Sequence, residues 1–214
     1  MTSELRWRVM TLQATLVLVL ACGAGFLFWA SNYTHSTIRD QLAAQSITFP
    51  AKGSASISAA ALTPCATLAK GSVCPIGTGP SVGLANHNAM TKYAGVVMTT
   101  GDQAEVWANS FIQVHLSDIG YTYSGISELA LTQPTNANYQ TIDDTIFKGT
   151  TLRGMLLNAY GWWTVGTYTE YAAIGAVVAA LVVLGAFIFE LLVAVRAFGT
   201  SPAQRKVVRG PVTA

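Results

Sequence analysis

Two long apolar runs lie near the ends of the chain and set its organisation. Residues 9–29 contain no charged side chain, and residues 171–195 contain only Glu190. As α-helices these runs would rise about 31 and 38 Å at roughly 1.5 Å per residue, enough to cross a hydrocarbon core of about 30 Å. The pattern predicts two transmembrane helices, at residues 9–30 and 169–196.

Apolar positions at helical spacing mark the region between the two runs. Thr100 and Gln103 have the spacing of a capping box, in which each side chain satisfies a backbone N–H at the start of a helix. Apolar residues and one histidine then recur on a single stripe: Ala104, Trp107, Ala108, Phe111, Ile112 and His115. Opposite this stripe lie three polar residues, Glu105, Asn109 and Gln113. The spacing predicts an amphipathic helix over residues 102–119.

Further helices are predicted on both sides of this one. Weaker candidates cover residues 84–98, 124–131 and 138–147. Pro134 follows the second, and Lys148-Gly149 marks the predicted end of the third, because proline and glycine terminate helices. A new helix capped by Thr150 or Thr151 then meets no proline before Arg196. We expect it to run directly into the second span.

Residues 31–83 are predicted to be irregular. Ser, Ala, Gly and Pro dominate from residue 46 onwards, and four prolines break any long helix. Residues 46–49 alternate as in a short strand, although one strand builds no sheet. Cys65 and Cys74 lie nine positions apart on the side of the membrane expected to be oxidising, so we expect a disulfide that staples this loop. Metal binding by the pair is the alternative, although no histidine is close in the sequence.

The charge distribution gives this arrangement an orientation. Basic residues next to the spans are found at the two chain ends: Arg6, Arg8, Arg196, Arg205, Lys206 and Arg209. Because cytoplasmic flanks are enriched in Lys and Arg, both termini are predicted to be cytoplasmic and residues 31–168 extracytoplasmic. Aromatic residues near the outer ends of both spans suit a membrane interface: Trp29, Tyr33, Trp162, Trp163, Tyr168 and Tyr171.

The composition agrees with a membrane protein and excludes other classes. Charged residues form 10% of the 214 and hydrophobic residues 51%, whereas a soluble domain carries about 25% charged residues. A net charge of +2 provides no basic face for nucleic acid. Residues 31–168 hold only 13 charged side chains. We therefore expect this segment to be covered by the membrane surface, the cell wall or another protein.

The first span has a second interpretation. Residues 18–22 follow two arginines and satisfy a loose lipoprotein signal pattern, in which Cys22 would be cleaved and acylated. The apolar run continues past this cysteine to Trp29 with no polar linker, which favours a retained span. In a retained span, Cys22 is a small packing residue.

Several short runs resemble a known group of proteins. Residues 150–163 lead directly into the second span, and upstream lie TGDQA at 100–104, FIQVHL at 111–116 and YTY at 121–123. Together they resemble small two-span actinobacterial membrane proteins of unknown function, some of which carry the label aromatic ring-opening dioxygenase. The resemblance covers residues 85–195 closely and 35–50 loosely. It implies the same topology and a bacterial plasma membrane, and it names no chemistry.

Dioxygenase chemistry would need a non-haem iron, usually held by two histidines and a carboxylate. The candidate ligands are His87, His115 and Asp118, of which the last two share a helix face at a spacing of three. The alternative for His115 is a half-buried member of the amphipathic stripe. Hydrolase, P-loop and zinc-protease motifs do not occur in the sequence. The sequence favours a protein without cofactor or catalysis, and it leaves enzyme activity open.

Two features of the spans are candidates for contact with other helices. Glu190 is the one acid within a span, about 9 Å before Arg196 along the helix, and is either an interfacial acid or a partner contact. Small residues suited to close helix packing form two pairs: Ala21 with Gly25, and Gly175 with Ala179. They join the two spans of one chain or serve a dimer.

The predicted fold is an all-α membrane protein in which two transmembrane helices flank a mainly helical extracytoplasmic domain. A cytoplasmic N-terminus is expected at 1–8 and a cytoplasmic tail at 197–214. Between the spans lie the irregular segment 31–83, with its disulfide-stapled loop, and the helical domain 84–168.

The leading functional hypothesis is a non-enzymatic cell-envelope protein whose outer domain binds or braces a partner. The partner is another membrane or envelope protein, a wall component or a second copy of the chain. Candidate contact residues are Trp107, Phe111, Arg153, Trp162, Trp163 and Glu190. The alternatives are a metal-dependent redox enzyme and a small-molecule sensor, each using the outer domain.

Overall fold

The structure is a computed structural model that describes residues 3–68, 74 and 79–199. Its elements are α1 Ser3–Ala44, a 3-10 turn Ala55–Ile57, α2 Pro80–Lys92, α3 Gly101–Trp107, a π segment Ala108–Ile112, α4 Gln113–Asp118, α5 Tyr123–Thr132 and α6 Ala137–Gly199. The described residues form no β-sheet. The predicted all-helical class is confirmed.

Two of the helices, α1 and α6, are long and apolar enough to cross a membrane, by length and composition. They contain the two predicted spans. The chain divides into two compact units, a terminal unit of Met1–Phe28 with Glu170–Ala214 and a central unit of Trp29–Thr169.

α6 is continuous through residues 148–151, so the predicted helix end and new helix start at these positions are wrong. Gly149 does not end the helix. A Cβ at this position would lie 2.5 Å from Cδ2 of Leu116, so the glycine lets α6 approach α4 closely. The Thr150 hydroxyl donates to a carbonyl one turn earlier, at 2.8 Å, as a residue within a helix does.

Two short extended segments pair inside the central unit. The Phe49 N–H donates to Val96 O at 2.9 Å, and the Met98 N–H donates to Ile47 O at 2.8 Å. The pairing is antiparallel and forms an isolated bridge rather than a sheet. Phe49 and Met98 are both fully buried, so the bridge fixes two large side chains in the core. The strand-like alternation at 46–49 therefore marked a real extended segment with a distant partner.

The helix predicted over 84–98 has the wrong bounds. α2 begins at Pro80, which suits the first turn because proline lacks the N–H that would be unpaired there. It ends at Lys92, before a turn in which Gly95 has a φ of +74°. Residues 96–98 are then extended, because they pair with the chain near Phe49.

α2 packs against the irregular segment that precedes it. The Asn86 side chain donates to Leu62 O at 2.9 Å, and the His87 Nδ1–H donates to Ile57 O at 2.6 Å. Ile57 and Leu62 are completely buried. Gly83 contacts the same segment so closely that a Cβ there would overlap Thr63 Oγ1. The irregular segment thus supplies core residues although it contains little regular structure.

The predicted capping box at the start of α3 is confirmed. Thr100 Oγ1 accepts from the Gln103 N–H, and Gln103 Oε1 accepts from the N–H groups of Thr99 and Thr100 at 2.6 and 3.0 Å. Gln103 is buried, so these bonds satisfy donors that water does not reach.

The predicted helix 102–119 is present, but its middle is the π segment Ala108–Ile112. A π turn spans five residues per hydrogen bond instead of four, so α-helical periodicity does not hold across it. Ala104, Ala108 and Ile112 of the predicted stripe are buried, whereas His115 is exposed and Val114 takes the buried position. The expectation that His115 is half-buried on the stripe is wrong for this reason.

The predicted disulfide between Cys65 and Cys74 is formed, with the two Cα atoms 5.8 Å apart. The Cys65 N–H donates to Ser117 Oγ at 3.2 Å, and the Ser117 hydroxyl donates to Val114 O at 2.6 Å. Ser117 is buried. The disulfide therefore holds a loop that is hydrogen-bonded to the end of α4. Cys22 is a free, exposed cysteine on α1.

Replacing Cys65 and Cys74 together by serine should lower the unfolding temperature of the purified protein by roughly 5 to 15 °C, because closing a loop of this size contributes about 2–4 kcal/mol. Differential scanning fluorimetry in one detergent measures the change. Cys22→Ser is the matched control and should leave the temperature unchanged. Equal unfolding temperatures for the double variant and the control would contradict the structural role of the disulfide.

Candidate partner-binding groove

The central unit contains a groove of about 540 Å³ between the end of α1 and the middle of α6. Its thirteen lining residues are Thr34, Thr37, Ile38, Gln41, Leu42, Gln45, Ile47, Leu152, Met155, Leu156, Asn158, Ala159 and Trp162. Residues on each helix recur three or four positions apart, as expected for the faces of two helices. None of the lining residues carries a charge.

The groove has an apolar floor and a rim that combines exposed carboxamides with two large apolar side chains. Ile38, Leu42 and Leu156 are buried and belong to the core of the central unit. Met155 and Trp162 are 64% and 55% exposed. Eight lining residues are apolar, and five bear an uncharged hydroxyl or carboxamide. This combination can bury an apolar surface and also offer it hydrogen bonds.

A contact between His35 of α1 and Trp163 of α6 lies beside one end of the groove. The two ring centroids are 4.2 Å apart. His35 Nε2 lies 3.1 Å from Trp163 O, so Nε2 carries the hydrogen and donates it, since a carbonyl oxygen only accepts. The Thr167 hydroxyl donates to the same carbonyl at 3.1 Å. His35 and Trp163 lie next to residues that line the groove, Thr34 on α1 and Trp162 on α6.

Two glycines make this contact possible. A Cβ on Gly166 would lie 2.7 Å from His35 Nε2. A Cβ on Gly101, the first residue of α3, would overlap the side chain of Trp163. The indole therefore meets α1 on one side and the start of α3 on the other. We call His35, Trp163, Gly101 and Gly166 the indole joint.

Arg153, one of the predicted contact residues, is part of a polar network on α3, the π segment and α4. Its Nη2 donates to Asn109 Oδ1 at 2.9 Å and to Gln113 Oε1 at 3.1 Å. The Asn109 amide in turn donates to Glu105 Oε1 at 2.9 Å. The three polar residues predicted to lie opposite the apolar stripe are thus half-buried and directed toward α6 rather than fully solvated.

The aromatic contact candidates take three different positions. Trp107 and Phe111 form a row with Phe49 and His115, with centroids 5.1, 4.7 and 4.3 Å apart along the row. Both are half-buried against the core. Trp163 belongs to the indole joint. Trp162 lines the groove and is exposed, so it is the aromatic candidate best placed to meet a partner.

The two histidines among the candidate metal ligands are hydrogen-bonded to two different backbone carbonyls. His87 Nδ1–H donates to Ile57 O, and His115 Nδ1–H donates to Phe111 O at 2.8 Å, so each ring is oriented by a different carbonyl. Asp118 is half-buried near the end of α4. Over residues 3–68, 74 and 79–199, no group of three or more His, Cys, Asp or Glu side chains is placed to hold a metal ion.

The candidate contact residues of the terminal unit are open to other helices. Ala21, Gly25, Gly175 and Ala179 are exposed, and nothing lies within 4 Å of a Cβ built on either glycine. Among the described residues, the small residues that are buried in this unit are instead Ala24, Ala173, Ala180 and Ala194. Glu190 is half-buried, and its Oε2 has no hydrogen-bond partner among the described residues. Use of these positions by a second copy stays a prediction.

Sequence reasoning missed the groove and the indole joint. The first predicted span ends at residue 30, so His35 lies outside every predicted helix. α1 in fact continues to Ala44. The available signal was the spacing of Thr34, Ile38, Gln41 and Gln45, which extends the helical pattern beyond the apolar run. Comparisons of the chain with protein-family models, with curated proteins and with solved structures gave no match.

The indole joint predicts opposite effects for two substitutions in α6. Gly166→Ala should destabilise the protein by roughly 1–3 kcal/mol, because the added methyl meets the imidazole. Gly161→Ala should be neutral or stabilising by up to about 1 kcal/mol, because nothing lies within 4 Å of its Cβ and alanine favours a helix. Thermal unfolding in detergent measures both variants.

A second variant separates the contact from a general intolerance of alanine at residue 166. Combining Gly166→Ala with His35→Ala removes the atom that the methyl meets, so the double variant should be less destabilised than the two single changes added together. Additive losses would contradict close packing between these two residues.

Proposed function

We propose that this protein is a cell-envelope membrane protein whose central unit binds one helix of a partner membrane protein in the groove. The observation that carries the proposal is an elongated, uncharged groove with exposed Met155 and Trp162 on its rim. Covering these two apolar side chains with an apolar surface of a partner would remove them from water, which is favourable.

The shape of the groove favours a helix as occupant. Its lining residues extend from Thr34 to Leu42 on α1 and from Leu152 to Trp162 on α6. Ten residues of helix rise about 15 Å, so the groove accommodates roughly three turns of a third helix. Apolar residues at a spacing of three and four on that helix would insert between α1 and α6, as in other helix-in-groove complexes.

The polar groups of the groove favour a peptide over a lipid chain. Gln41, Gln45 and Asn158 each present a carboxamide there. An acyl chain would displace water from these groups without replacing its hydrogen bonds, which is unfavourable. A partner helix can supply Ser, Thr, Asn or Gln side chains for them. Because the walls carry no charge, the inserted face of the partner is expected to be uncharged.

The proposed location is the bacterial plasma membrane, with both termini in the cytoplasm. Basic residues beside the apolar parts of α1 and α6 support this orientation. The disulfide in the central unit supports an oxidising compartment for it. The resemblance to two-span actinobacterial proteins supports the same placement. The bilayer and an envelope protein are then the two expected partners.

Photocrosslinking in native membranes tests the proposal. The full chain carries p-benzoylphenylalanine either at Met155, on the groove rim, or at Leu131, which is 78% exposed and does not line the groove. We expect irradiation to yield a protein adduct from position 155 at least about tenfold more abundant than from 131. Mass spectrometry should map the adduct to an uncharged helical segment next to a span of the partner.

A charge at the rim provides the functional control. With the photoreactive residue at Trp162, Met155→Glu should abolish the adduct, because the partner helix would have to desolvate the new carboxylate. Met155 is mostly exposed, so this change should leave the fold intact, as unfolding temperature would show. Adducts with lipid alone, or equal adducts from positions 155 and 131, would contradict a helix-binding groove.

A further inference from the structure

A second, smaller concavity in the central unit is lined in part by Arg153. This cleft has a volume of about 160 Å³, and its lining includes Gln113, Leu116, Tyr121, Tyr123, Ile146 and Arg153. The cleft shares no residue with the groove. Arg153 is the one charged residue among those that line the cleft. The cleft therefore carries a single positive charge.

The guanidinium of Arg153 is incompletely paired. Its two hydrogen-bond acceptors, Asn109 and Gln113, are neutral carboxamides. Its Nε is buried and has no acceptor among the described residues. The ion pair found among those residues joins Lys148 to Asp144 and does not involve Arg153. A half-buried cation without a carboxylate is costly, and an anion is the group that offsets the cost.

The nearest carboxylate in the hydrogen-bond network does not neutralise this cation directly. Glu105 reaches Arg153 only through the amide of Asn109, which donates to the carboxylate and accepts from the guanidinium. This relay fixes the orientation of both amide and guanidinium. It therefore positions the arginine side chain for a ligand and leaves its charge available to that ligand.

We propose that this cleft binds the carboxylate of a small organic anion. Both Nη2 hydrogens of Arg153 are taken by the two carboxamides, so a carboxylate would pair with the guanidinium through its Nη1 donors and its charge. Tyr121 and Tyr123 place phenol groups on the cleft, and Leu116 and Ile146 supply apolar walls for an organic body. A single cation suits a monoanion better than phosphate, which carries about −1.5 to −2 near neutral pH. The volume lies below the 300–1,000 Å³ of drug-sized pockets, so the ligand is small.

The test uses the full chain in nanodiscs of zwitterionic lipid, with tyrosine replaced by 3-fluorotyrosine. Tyr121→Phe and Tyr123→Phe assign the two fluorine resonances of the cleft. Sodium butyrate is titrated at constant ionic strength, with sodium chloride and inorganic phosphate as parallel probes. We expect butyrate to give a saturable shift of these two resonances and chloride to give none.

Variants identify the group that binds. Arg153→Gln should weaken butyrate binding at least about tenfold, and Arg153→Lys should weaken it less, because lysine keeps the positive charge but not the position of the guanidinium donors. Glu105→Gln should leave binding equal or tighter, because it keeps an acceptor for Asn109 and removes a negative charge. Lys148→Gln removes an exposed cation that does not line the cleft and should have no effect.

Two peptides that differ only at the C-terminus distinguish the sources of the carboxylate. Tighter binding of the free-acid peptide than of butyrate assigns the site to a protein C-terminus, and weaker binding assigns it to a free organic acid. The amidated peptide should not bind. Equal butyrate affinity in the native chain and Arg153→Gln, a shift that does not saturate, or saturable binding of phosphate but not butyrate would overturn the proposal. Should Arg153→Gln fail to fold, the comparison of Arg153→Lys with Lys148→Gln decides the same question.

Discussion

The central unit depends on the close approach of α1 and α3 to one indole ring of α6. Trp163 contacts His35 of α1, and it leaves no room for a Cβ on Gly101 at the start of α3. Each neighbour is small or planar at the point of contact, so backbones approach to distances that larger residues would prevent. Beyond this joint the side chains of α1 and α6 no longer fill the space between the helices. The groove is that unfilled space.

The π segment lets the stretch from α3 to α4 direct side chains both into the core and toward Arg153. On one side it places Ala108 and Ile112 in the core, and on the other it directs Asn109 and Gln113 at Arg153. Such wide turns occur often at functional sites, because they change the direction of side chains without ending a helix. Here the result is a cation held by neutral groups at the edge of a cleft. The groove and the cleft therefore have opposite chemical character, one uncharged and the other cationic.

Features set by neighbouring residues were predictable from the sequence. The capping box needs only Thr100 and Gln103, and the disulfide needed two cysteines in a loop with few other means of stabilisation. Features set by distant residues were not predictable. Gly149 has the sequence signature of a helix end, and only the presence of Leu116 shows that its role is close approach. The extended segment at Phe49 likewise needed a partner 47 residues away, at Val96.

The scarcity of charge in residues 31–168 is consistent with these two sites. The core needs apolar residues, and the groove adds exposed apolar side chains with neutral amides. A surface covered by a partner would need no charged residues for solubility. This interpretation requires the central unit to lie outside the cytoplasm, between two spans.

Single-cysteine labelling of intact cells tests that requirement most directly. The full chain, with Cys22 replaced by serine and the disulfide retained, receives one new cysteine at Leu131, Thr2 or Thr213. A membrane-impermeant maleimide should label position 131 in intact cells, and positions 2 and 213 only after the membrane is permeabilised. Labelling of position 2 or 213 in intact cells, with position 131 protected until permeabilisation, would contradict an external central unit.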